Sequence, residues 1–254
     1  MIGRSAAIFS VDEIIIYQDL QKQKQTKDTN LITSILSYME TPQYLRKHLF
    51  KIRPELRFVG VLPPLRTVHH PLSSHVKDLV VGEFREGVVM SSNKKGTFVD
   101  VGMEDYALIR NKTLPVNARV TVKIKRLKKT LEGYTVTRDR VRKYWGYFVT
   151  PTELTLGKVL RKYSFDLTIA TSKYGKPFLE ASKSLAKRWK TSAKILVVFG
   201  APMRGLYEVA KQEKLSLDNI ADFVVNTFPV QEVETVRTEE AIPVALGILR
   251  MFTG

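Results

Sequence analysis

Two stretches near the C-terminal end place residues capable of chemistry just beyond apolar runs. "KILVVFGAPMRGLYEV" (194–209) carries Gly200, Pro202 and Gly205. "VVNTFPVQEVETVRTEEAIPVALGILRMF" (224–252) carries a long polar loop that closes on Arg237, Glu239 and Glu240. Strand, Gly- or Pro-bearing loop and helix start are how α/β domains offer backbone amides to a ligand at the carboxyl ends of their strands. The spacing matches neither GxGxxG nor GxxxxGK[ST], so an ordinary dinucleotide or nucleoside triphosphate site is not expected. Glu239 and Glu240 fall where acids complement the positive end of a helix, which leaves capping and chemistry as alternative uses for them. Pro243 sets that helix's start near Glu239, because beyond the first turn a proline removes a backbone bond.

Other chemistries are excluded by composition. The 254 residues contain no cysteine, hence no disulfide framework, thiolate zinc site or Cys nucleophile. His69, His70 and His75 lie in the Pro/Ser-rich run "RTVHHPLSSHVKD" without a carboxylate cluster nearby, and no metal site is expected. The formal net charge is +16, which calls for a polyanionic partner. A membrane is the weaker choice, since "EIIIY" and "ILVVF" fall far short of the roughly 20 apolar residues of a span. Asp12 and Glu13 interrupt the only early apolar stretch, so no signal peptide is read and a cytoplasmic location is expected.

The charge is unevenly placed. Residues 119–143 hold ten cations against two acids, whereas residues 191–254 hold six against eight. Arg119, Lys123, Lys125, Arg126, Lys128 and Lys129 are therefore the candidate nucleic-acid-binding residues, in a module separate from the paired loops.

These residues need elements to hold them. "EIIIY" reads as a strand, and Leu31, Ile32, Ile35, Leu36 and Met39 mark one face of a helix. Thr41 and Pro42 start a second short helix. "LRFVGVLPPL" reads as a strand ended by prolines, and the His-bearing run after it as a linker, with a domain boundary near residue 75. From 76 to 147 short alternating strands follow one another, with Val120, Val122 and Ile124 set against Thr121, Lys123 and Lys125, which points to a small β-barrel of the OB type. Beyond "YWGY" the α/β pattern resumes. The expected organisation is an α/β domain from residues 1–75 and 148–254, interrupted by a barrel at 76–147. Tyr144, Trp145 and Tyr147 at the junction are read as packing residues, with base stacking as the alternative.

The motifs "FSVDEIIIY", "TPQYLRKHLF", "GVLPPL", "FREGVV", "VDVGM", "YWGY", "DLTIATS", "VVFGAPMRGLYE", "VNTFP" and "VRTEEAI" occur in order along the chain. Together they resemble the SPOUT class of RNA methyltransferases, in the archaeal and eukaryotic subfamily whose α/β trefoil-knot domain is interrupted by an OB-like domain. The resemblance implies an enzyme that binds S-adenosylmethionine in the knot, works as a homodimer and methylates structured RNA, ribosomal RNA and a uridine base foremost. It implies cofactor contacts from Gly200, Ala201, Pro202, Gly205 and Leu206, from Asn226, Thr227, Pro229, Gln231, Val236 and Thr238, and from Thr171 and Ser172. It nominates Arg4 near the target nucleotide, and Arg237 and Glu239 beside the pocket, as catalytic residues. Relatives carry glycines around Gln231 where this chain has "PVQEVET", so a different loop path is expected if those glycines supply positive φ. Relatives also carry a strand ahead of "GRSAAIF", which here stands almost at Met1. The rival reading is an RNA-bound assembly factor that keeps the fold and has lost catalysis.

Overall fold

A computed structural model describes residues 1–20, 25–127, 130–201 and 204–253. Lys128, Lys129 and Pro202, named above, lie outside the described residues. In chain order the elements are α1 (Ile2–Ile8), β1 (Glu13–Gln18), α2 (Thr26–Glu40), α3 (Gln43–Leu49), β2 (Phe84–Asn93), β3 (Gly96–Asp100), β4 (Ala107–Ile109), β5 (Arg119–Arg126), β6 (Glu132–Val136), β7 (Phe148–Thr155), α4 (Leu156–Lys162), β8 (Leu167–Pro177), α5 (Phe178–Thr191), β9 (Ile195–Val198), α6 (Leu206–Gln212), α7 (Leu217–Ile220), β10 (Phe223–Asn226) and α8 (Thr238–Arg250). They form two compact units, Met1–Thr33 with Val149–Gly254, and Ser34–Phe148.

The first unit is built on a parallel sheet ordered β10-β8-β9, with β1 and β7 paired separately. Parallel neighbours need crossovers, and α5 supplies the one from β8 to β9, while α6 and α7 lead from β9 to β10 on the far side of β8. Helices cover both faces, which is why "ILVV" reads as an unbroken apolar run. Leu167, Ile169 and Val225 pack with Ala181 and Leu185 of α5 and Leu249 of α8. On the other face Ala170 and Val198 pack with Leu156, Leu206, Val209 and Leu217. The connections leave the sheet in opposite directions from β8, so the carboxyl edge there is a point where strand order reverses, the usual place for a ligand.

The second unit contains a closed five-stranded barrel, β2-β3-β4-β6-β5, with β5 returning to β2. Its pairs are antiparallel except β4 with β6, an order consistent with an OB-like barrel. Val89, Val99, Val101, Ile109, Val122 and Ile124 fill it.

Two readings of the segment before the barrel are corrected. "LRFVGVLPPL" is not a strand: it holds 3-10 turns at Pro54–Leu56 and Val59–Val61, with Leu56 and Leu65 buried at its ends but Phe58 and Val61 exposed between them, so its apolar alternation does not form one buried face. The histidine run is not a free linker either, because His69 is fully buried. The second unit accordingly begins before the boundary expected near 75. Tyr44 in α3 donates to the Glu86 carbonyl at 2.8 Å, and Tyr147 donates to the Leu36 carbonyl at 3.1 Å. Of the helical face expected in α2, Leu36 and Met39 are buried while Leu31 and Ile32 stay exposed.

Candidate functional site

Three segments meet at the carboxyl edge of the parallel sheet. The first is an excursion of β8: Ala170 pairs with Val224, yet the next residue of β10, Val225, pairs with Lys176, so 171–175 leave the ladder. Thr171 Oγ1 ties the start of the excursion to the Val198 carbonyl at 3.0 Å. The second is the loop after β9. Tyr17 donates to the Phe199 carbonyl at 2.9 Å, and burial, then the nearby Asp19 and Glu213 carboxylates, push its phenol well above the usual range, so it stays a donor. Arg204 pairs with Asp19 at the other end of that loop. The third is the loop from β10 to α8.

Asn226 joins the third segment to the first, donating through Nδ2 to the Lys173 carbonyl at 2.9 Å and accepting from the Phe228 N–H at 2.8 Å. Thr238, the first residue of α8, joins it to the second by donating to the Gly200 carbonyl at 3.2 Å. A cleft of about 500 Å³ opens between Lys173, Tyr174, Asn226, Phe228, Pro229, Val230 and Gln231. Asn226, Pro229 and Gln231 of the expected set line it. Thr171, Ser172, Gly200, Ala201, Gly205, Leu206, Thr227, Val236 and Thr238 are outside its wall. Leu206 has its side chain in the core at 0% exposure, so contact with a ligand would fall to its backbone. Lys173, Tyr174 and Phe228 line the cleft without having been singled out; the register shift in β8 brings the first two there, and strand periodicity carries no sign of it.

The two loop glycines differ. A Cβ on Gly200 would come within 2.8 Å of the Arg204 carbonyl oxygen, so the loop's close approach requires glycine. A Cβ on Gly205 would meet nothing within 4 Å, and its φ of −74° is ordinary, so what glycine leaves there is open space.

The "PVQEVET" stretch needs no left-handed residue: none of 227–237 has positive φ. Gln231 shapes it instead, donating to the carbonyls of Val233 (2.9 Å) and Glu234 (3.2 Å). Loop shaping and cleft lining are thus combined in Gln231, as in Asn226.

Glu240 accepts the Arg237 backbone N–H at 3.0 Å, so its carboxylate caps α8. Glu239 is half-buried one residue away, and the Arg237 side chain is exposed. Arg4 is half-buried on α1, which packs on α8.

In the second unit the expected cations separate into two groups. Arg119 is held inside: its guanidinium meets Glu40 at 2.6 Å and Glu86 at 2.5 Å. Arg138 joins both carboxylates at 3.3 and 3.5 Å, Thr121 and Trp145 donate to Glu86, and His69 faces Glu40 at 3.3 Å. Burial opposes ionisation of Glu40 and Glu86. It is outweighed at Glu40 by the His69 hydrogen bond and Arg119, and at Glu86 by Arg119 and Arg138, so both carboxyls are held below the usual range. Lys125 and Arg126 are exposed, and Lys123 is half-buried. Trp145 and Tyr147 are buried packing residues. His75 pairs with Glu104, and among the described residues no group of three His, Cys, Asp or Glu is set to hold a metal ion. No described helix is long and apolar enough to cross a membrane.

Residues 1–249 match a protein-family model described as "Putative RNA methyltransferase". A human protein named 28S rRNA (uridine-N(3))-methyltransferase is 33% identical over 98% of this chain and 71% of its own length. Proteins of the same name from Drosophila melanogaster and Mus musculus are 31% and 33% identical, again over 98% of this chain, which spans 56% and 69% of their lengths.

Proposed function

The chain belongs to this RNA methyltransferase family, and from that premise we propose that it methylates a uridine base of large-subunit ribosomal RNA with S-adenosylmethionine as donor. The relatives' names supply the base and the nitrogen, N3. The observation that carries the reading is the junction of three segments at the carboxyl edge of the sheet, in a chain matched almost end to end by the family.

The residues present fit the donor. The cleft has the volume of a small-molecule site, with two aromatic rings, a proline and two side-chain amides in its wall. Asn226, Phe228, Pro229 and Gln231 would hold it from one side. The backbone at Gly200, Ala201 and Gly205, with Thr227, Val236 and Thr238, would hold it from the loops, and Thr171 and Ser172 from the excursion. Bound there, the donor supplies an electrophilic methyl carbon and needs no metal.

The protein's own task is to orient the uracil ring and accept or mask the proton on its ring nitrogen. Glu240 is committed to the cap, which leaves Glu239 as the carboxylate for the proton. Arg237 and Arg4 would orient the nucleotide. In the same reading the first unit is a trefoil-knot domain, the enzyme works in the cytoplasm, and it is a homodimer through α1 and α8, where Ile8 and Val244 stand exposed beside the half-buried Ile242 and Leu246. Sedimentation at micromolar concentration should give a dimer; a monomer removes that part. Calorimetry tests the site itself: heat of S-adenosylmethionine binding is expected, and none at millimolar concentration with folded protein overturns the reading. The same absence of binding is what a scaffold that had lost catalysis would give.

A further inference from the structure

The outer face of the barrel carries an arrangement that net charge does not account for. Phe84 of β2 stands opposite Lys123 of β5, and Lys123 stands opposite Tyr134 of β6. Directly paired residues share a face, so the three side chains form one row, ring, cation, ring, while Val122 and Ile124 turn inward to the core. The row is braced at one end. Lys123 Nζ lies 5.2 Å from the Phe84 ring centre, within cation–π reach, and Phe84 meets Trp145 edge-on at 6.2 Å. Trp145 is fixed in turn by its 2.5 Å hydrogen bond to Glu86. At the other end Tyr134 is 45% exposed, and farther along β5 Lys125 and Arg126 reach solvent.

We propose that this row is a stacking platform for an unpaired RNA base, with Tyr134 taking the base and Lys125 and Arg126 the phosphates beside it. Cations alone would serve any polyanion. An exposed ring set in register beside a fixed cation adds an interaction that a duplex, whose bases already stack on one another, has no use for. The rigid backing matters as well: Lys123 lies over the Phe84 ring, and Tyr134 keeps 45% of its surface exposed. The barrel would therefore select single-stranded loops in a folded RNA. The inference rests on the reading of the chain as an RNA-modifying protein and names the RNA feature that it holds.

Fluorescence anisotropy with the full chain, a short oligouridylate and a short RNA duplex tests it. Tyr134→Ala should weaken the single strand about tenfold, leave duplex affinity unchanged and leave the slope of log affinity against log salt unchanged. Tyr134→Phe, which keeps the ring, should bind as the unaltered chain does. Lys125→Gln with Arg126→Gln should instead flatten the single-strand slope by about 0.7 for each phosphate that is no longer neutralised. Equal weakening on both RNAs, no weakening on either, or an unaltered chain that holds the duplex but not the single strand each overturns the platform. A chain that shows the expected binding pattern but methylates no RNA would overturn the proposed function and leave the platform standing.

Discussion

Arg119 and Lys123 are four residues apart on one strand and are used in opposite ways. Arg119 neutralises two buried carboxylates, so Arg119→Met should leave Glu40 and Glu86 with Arg138 as the one cation they share among the described residues. A loss of about 3–5 kcal/mol in unfolding free energy is expected, the usual consequence of removing one partner from a buried ion group; urea unfolding of the variant measures it, and a change within experimental error would mean that the network is not structural. The same cluster sets a pH dependence. Burial, then the neighbouring His69, lowers the His70 imidazole to about 4, and Glu40 and Glu86 are also depressed. For every one of these groups the unfolded chain binds protons more readily than the folded one. Stability should therefore be full near pH 7 and fall with acidification, first between about 6.5 and 4 as His70 is forced to ionise, then further as the two carboxyls protonate. His70→Gln should remove the upper part of that fall in thermal melts run across the range. The sequence could show that residues 119–143 are basic, but not which cations face outward. Glu40 lies 79 residues from Arg119 and Glu86 lies 33, and one-dimensional spacing does not register such pairings.

At the scale of elements, each loop after a strand was legible because the signal is local: an apolar run, a Gly or Pro, then a helical period. The helix start near Glu239 was readable from Pro243, and α8 does begin at Thr238. What stayed hidden was the break in β8. "DLTIATSKYG" alternates like one strand, and only its pairing with β10 reveals that 171–175 leave the ladder and carry Lys173 and Tyr174 to the cleft. "LRFVGVLPPL" failed for the converse reason: its apolar alternation has no partner strand. The two glycines of the loop after β9 give the sharpest test at this scale. Gly205→Trp projects into open space, so the protein should keep its melting temperature and lose S-adenosylmethionine binding. Gly200→Val forces the Arg204 carbonyl away and should lower the melting temperature itself. If Gly205→Trp binds the donor like the unaltered chain, the open space there is not part of the site.

At the scale of the whole molecule, the two units divide the charge. Residues 119–143 of the barrel unit hold ten cations against two acids, and the loops at the sheet edge lie in the slightly acidic last quarter of the chain. The division into modules could be read from composition, but its edge could not, because residues 34–75 join the barrel unit through buried side chains such as His69 and Leu45. A cut at 76 would strand those groups; a fragment of residues 34–148 keeps them. That fragment should bind structured RNA with most of the full chain's salt slope, about 0.7–0.9 for each phosphate neutralised, and should bind no S-adenosylmethionine. A flat salt response would move the RNA grip to the other unit. Base methylation is tested directly by product analysis. Purified full-length chain is incubated with unmodified large-subunit ribosomal RNA and methyl-labelled S-adenosylmethionine, and the digested nucleosides are resolved by mass spectrometry. Label is expected in 3-methyluridine and should disappear in the Gly205→Trp variant; label in a ribose methyl or in no nucleoside at all would contradict base methylation.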